Sequence, residues 1–70
     1  MSRKSVVKNR MKELGISEMQ IAHYCALNVK MLNLWLDAKA IIPYSSLLRI
    51  AHLLDLEPND LYEYGKTPKR

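Results

Sequence analysis

The order of apolar and polar residues along this 70-residue chain follows a helical rather than an extended period. Val7, Met11 and Leu14 fall at i, i+4 and i+7 with basic residues on the remaining sides, and Gly15 follows as a residue able to take positive φ. This predicts a first helix over residues 5–14. Ser17 stands three residues before Gln20, the spacing of a capping box in which hydroxyl and amide satisfy backbone donors reciprocally, so a second helix is expected over 18–25. Asn28 is a good N-cap, and Met31, Leu32, Trp35 and Leu36 keep helical spacing up to Asp37, giving a third helix. Further on, Pro43 sets the chain direction, Ser45 or Ser46 can cap, and Leu47, Leu48, Ile50, Ala51 and Leu54 form a wide apolar stripe on a fourth. Glu57 and Pro58, with Asn59 and Asp60 behind them, predict a short fifth helix with Pro at its first position and acid near the positive end of its dipole. No segment alternates strictly with period two, and hairpin turn pairs are absent.

Length changes the picture first. A chain this short buries only about 60% of the surface its unfolded form exposes, so it makes one domain and has little room for a catalytic cleft. That domain is expected over residues 1–64, with a flexible basic tail over 65–70. The 49% hydrophobic and 26% charged content excludes a disordered chain, and no apolar run exceeds four residues, which excludes a membrane span. The basic start lacks the apolar stretch of a signal peptide, so the cytoplasm is the expected compartment. Cys25 is the single cysteine and is expected to pack as a small hydrophobe. His23 and His52 have no metal-ligand spacing. With only two glycines there is no phosphate-cradling loop, and no Ser, His and acid arrangement can be assembled. We therefore expect no enzyme, no cofactor, no metal and no small-molecule substrate.

Net charge is +4, and its distribution says more than its total. Residues 1–14 hold Arg3, Lys4, Lys8, Arg10 and Lys12 against Glu13 alone, and the tail adds Lys66, Lys69 and Arg70. Between them, residues 15–64 carry three cations against six acids, a net −3. A basic chain of this size fits a polyanionic partner such as nucleic acid, yet the middle, where a DNA-reading element would lie, is mildly acidic.

The second helix, a tight turn at Ala26 and Leu27, and a third helix capped by Asn28 have the spacing of a helix-turn-helix. With Gly15 to Ser17, Gln20 to Ala22, Leu32, Trp35 and the run LLRIAHLLDLEPNDLY from Leu47 to Tyr62, the chain resembles the Cro/CI (XRE-type) helix-turn-helix family. The resemblance covers about Val7 to Tyr62 and implies an all-α, five-helix, lambda-repressor-like DNA-binding fold in a small regulator from a phage or mobile element. It implies core roles for Ile21, Ala22, Cys25, Leu27 and Leu32. It also implies that Ser17, Asn28, Val29, Lys30, Asn33 and Lys39 face DNA. Asn33 has the amide that pairs with the N6 and N7 edge of adenine, and Lys30 can reach phosphate or guanine.

Several positions depart from the family pattern. Glu18 stands where a Gln usually donates to phosphate, and its carboxylate only accepts hydrogen bonds. Ala26 and Asp55 replace glycines. The third helix carries Val29, Met31, Leu34 and Leu36, apolar residues on nearly every side. Together with Met19 and Tyr24, the residues Met31, Leu34 and Leu36 form either a wide core face or a protein-binding patch. Two functions stay open: a regulator whose third helix reads operator DNA as a homodimer joined through either the tail around Leu61 to Tyr64 or the Ile41–Ile42 loop, and an antirepressor of the same fold that binds a partner repressor protein.

Overall fold

A computed structural model describes residues 3–62. Five helices follow in order: α1 (Arg3–Leu14), α2 (Glu18–Tyr24), α3 (Val29–Leu36), α4 (Tyr44–Leu54) and α5 (Pro58–Tyr62), with no strand among the described residues. The compact all-helical expectation holds at this level. The expected basic tail lies outside the described residues.

Four of these helices end in one device. Gly15, Ala26, Ala38 and Asp55 take positive φ, at 70°, 57°, 61° and 58°. Beyond each, an amide reaches back five residues: Ile16 to the Met11 carbonyl at 3.0 Å, and Leu27 to Ala22, Lys39 to Leu34 and Leu56 to Ala51, each at 2.8 Å. This is the Schellman closure, which satisfies carbonyls that the helix leaves unpaired and turns the chain back on itself. In three of the four, the donor is an apolar residue, Ile16, Leu27 or Leu56, packed against the core. Ala26 and Ala38 adopt the left-handed conformation despite their Cβ atoms, at a cost of about 1 kcal/mol each.

The N-termini follow the sequence signals closely, with one exception. Ser17 Oγ accepts from the Gln20 amide at 3.2 Å, and the Gln20 side chain accepts from the Ser17 amide at 2.7 Å, completing the capping box. Asn28 Oδ1 accepts from the Met31 amide at 2.7 Å. α4 differs from expectation: it starts at Tyr44 after Pro43, with no side-chain cap. Ser46 instead lies buried and donates from Oγ to the Cys25 carbonyl at 3.1 Å, tying α4 to the end of α2.

The core gathers Val7, Met11, Ile21, Cys25, Leu32, Trp35, Leu36, Ile42, Leu47, Ile50, Ala51, Leu54 and Leu61. α4 packs against α1, α2 and α5, α1 also meets α5, and α3 lies on α2. Each fully buried Leu, Ile or Val stabilises the fold by about 1.5–3 kcal/mol, so this cluster is the main source of stability in a domain without disulfides. Burial pushes the Cys25 thiol up, which keeps it in the unreactive form expected of a core residue.

α1 begins two residues earlier than its apolar spacing predicts. Arg3 accounts for this extension, since its guanidinium lies 4.5 Å from the centre of the Trp35 ring. It also donates to the Trp35 carbonyl at 2.8 Å and to the Leu61 carbonyl at 3.2 Å. Arg10, two turns on, donates from Nε to the Leu54 carbonyl at 2.8 Å. The two arginines of α1 thus meet carbonyls in the last turns of α3, α4 and α5, where the helix dipoles concentrate negative charge.

Candidate interaction surface of the second and third helices

α2 and α3 are joined by residues 25–28 and present one continuous surface with the lysine face of α1. Lys4 and Lys8, one turn apart, reach across to this surface. Lys4 Nζ lies 2.9 Å from Asp37 Oδ1 at the end of α3, and Lys8 Nζ pairs with Glu18 Oε2 at the start of α2. The hydrogen bond from Lys8, followed by one from Asn33, holds the Glu18 carboxyl below its ordinary value. The hydrogen bond from Lys4 does the same for Asp37. Each lysine also acts at longer range on the other carboxylate, so the two pairs form one neutral group, and Lys39 acts on Asp37 from beside it.

Asn33 is placed differently from its expected role. Its Nδ2 donates to Glu18 Oε1 at 3.2 Å and to the Val29 carbonyl at 3.0 Å. An amide nitrogen has two protons, and both are taken. The adenine pairing expected of Asn33 needs one of them, so in this arrangement Asn33 braces α3 against α2 instead. Leu36 requires a second correction: at 4% exposure it is a core residue and offers nothing to a partner protein.

The other expected positions are distributed as follows. Ser17 and Asn28 are exposed, but their side-chain oxygens serve as helix caps. Lys30 in the first turn of α3 and Lys39 in the turn after it are exposed, and no ion pair is described for either. Val29 and Leu34 are half-buried, and Met31, also half-buried, packs against the core. Met19 is 74% exposed and Tyr24 41%. The apolar residues of α3 are therefore divided: Leu32, Trp35 and Leu36 face inward, while Val29, Met31 and Leu34 lie at the margin.

Sequence reasoning singled out the Ile41–Ile42 loop as a candidate dimer contact but missed the exposed residues, Tyr44 and Leu48, that join Ile41. Ile41, Tyr44 and Leu48 stand 92%, 57% and 40% exposed on the approach to α4 and along its outer face. The signal was present, since Tyr44 and Leu48 are one helical turn apart and flank the buried stripe of Leu47, Ile50, Ala51 and Leu54 along one edge. It is masked because Leu48 falls within the wide apolar stripe that the sequence predicts for this helix. No helix among the described residues is long and apolar enough to cross a membrane.

Comparison with protein-family models, curated proteins and solved structures finds no match for this chain.

Proposed function

We propose that this chain is a small transcriptional regulator of the Cro/CI helix-turn-helix type that works in a phage or mobile-element genetic switch by setting α3 against operator DNA. The observation that carries this reading is the pair of exposed cations, Lys30 in the first turn of α3 and Lys39 in the turn that follows it. Lys30 is exposed in the first turn of α3, whose N-terminus Asn28 caps. Lysines so placed contact phosphate or guanine, and each phosphate contact adds to the salt dependence of binding.

A second reading has its own observation. The neutral group of Lys4, Asp37, Lys8 and Glu18 puts two carboxylates on the surface shared by α1, α2 and α3. Exposed Met19 follows Glu18 directly. Freeing the lysines for phosphate would break both pairs and leave the carboxylates facing a polyanion, whereas a protein partner can accept the group intact. This favours an antirepressor that docks on a repressor.

Fluorescence anisotropy with labelled DNA from the gene's own promoter region, over a salt series, separates the two. Binding that depends on sequence and weakens steeply with salt is the result expected of the first reading. Absence of binding, with the chain changing the neighbouring repressor's affinity for its operator, would replace it with the second.

A further inference from the structure

Glu18 opens α2 and Asp37 follows the last residue of α3, and both meet lysines of α1. Lys4 and Lys8 reach one carboxylate each, Asp37 Oδ1 at 2.9 Å and Glu18 Oε2. Neither pair is buried, since the four side chains stay between 30% and 51% exposed. Asn33 donates to Glu18 Oε1 at 3.2 Å while Lys8 takes Oε2, so the Glu18 carboxylate is tied to α1 by one oxygen and to α3 by the other. These contacts hold both carboxyls below their ordinary values, and the pairs stay charged at neutral pH.

DNA attracts a basic protein through its phosphates without regard to sequence, and the attraction grows with each lysine that a phosphate can reach. Lys4 and Lys8 already have anions in place. A phosphate that took over Lys8 would lie against a carboxylate that Asn33 keeps where it is, and the like charges repel. We infer that Glu18 and Asp37 are intramolecular competitors of DNA phosphate, which occupy Lys4 and Lys8 and keep both lysines out of the binding energy. This rests on the DNA-binding reading of α3. With fewer phosphate contacts, base contacts supply a larger share of the binding energy that remains. Removing the carboxylates, rather than the lysines, is then the change that alters DNA binding.

Anisotropy of a labelled duplex of random sequence over a salt series tests this in the full chain, with helicity of each variant checked by circular dichroism. Glu18→Gln with Asp37→Asn should steepen the slope of log affinity against log salt by about 2, so that affinity falls about tenfold further than the wild type's between about 50 and 200 mM salt. Adding Lys4→Ala and Lys8→Ala to that variant should return the slope to the wild-type value. A slope that the carboxylate substitutions leave unchanged would overturn the inference. A slope that steepens equally when both lysines are absent would overturn it too, because the gain would then come from net charge alone. Promoter DNA reads the underlying proposal separately. A wild type with no preference for promoter over random duplex, beside a lysine-dependent gain on both, would remove operator reading and leave the competition in place.

Discussion

The cations of α1 and those between residues 30 and 49 are the same residue types, yet the fold uses them in opposite ways. Four of the five cations of α1, Arg3, Lys4, Lys8 and Arg10, each reach a carbonyl or a carboxylate outside α1, and Lys12 alone is exposed with no partner described. Lys30 and Lys39 reach none among the described residues, and Arg49 meets only the Tyr24 carbonyl at 3.5 Å. Most of the strongest basic cluster in the sequence is therefore part of the scaffold, and the sparser cations Lys30, Lys39 and Arg49 are exposed. A charge total treats both sets alike. What separates them is that α1 lies across the ends of three other helices, where carbonyls and carboxylates collect.

Substitutions can break this comparison at either end. The largest effect is expected at Trp35, which is 2% exposed and forms the platform for Arg3. Trp35→Ala should cost about 3–5 kcal/mol in urea denaturation. Arg3→Ala should cost about 2 kcal/mol, since it removes hydrogen bonds from a charged group to two carbonyls together with the ring contact. Lys30→Ala, by contrast, should change stability by less than about 0.5 kcal/mol. Equal losses at Arg3 and Lys30 would erase the distinction.

A smaller effect sharpens it at the helix ends. Ala26→Gly removes a Cβ from a backbone at φ 57° and should stabilise the protein by about 0.5–1 kcal/mol, read as a rise in the urea midpoint. Glu18 gives the smallest. Its folded carboxyl titrates below its ordinary value, so the unfolded chain holds more protons in that window. The contribution of Glu18 is complete above the ordinary glutamate pKa of about 4.3 and is lost as pH falls through the lower folded value. Glu18→Gln should flatten the acid side of the stability profile and cost about 0.5 kcal/mol at pH 7, as expected for a partly exposed pair.

Much of the fold was legible because its signals are local. The Ser17 and Gln20 capping box, the Asn28 cap, Gly15 and Pro58 each act within a few residues, and each appears where its chemistry placed it. Long-range side-chain bonds were not legible. Ser46 could cap by its position, yet it bonds across 21 residues to Cys25. Asn33 could pair with adenine by its chemistry, yet Glu18 and Val29 take both of its amide protons. The division of α3 was hidden for the same reason, because spacing alone does not say which of its apolar sides meets α2. The exposure of Leu48 was hidden within the apolar stripe of α4, because spacing alone does not say which edge of a wide stripe stays uncovered.

The central claim, that the working cations lie beside α3 and the α1 cations belong to the scaffold, is tested most directly by the salt dependence of DNA affinity in two paired variants. Lys30→Ala with Lys39→Ala should lower the slope of log affinity against log salt by about 2. Lys4→Ala with Lys8→Ala should leave that slope unchanged. A slope that falls with the α1 pair and not with the α3 pair would contradict the account.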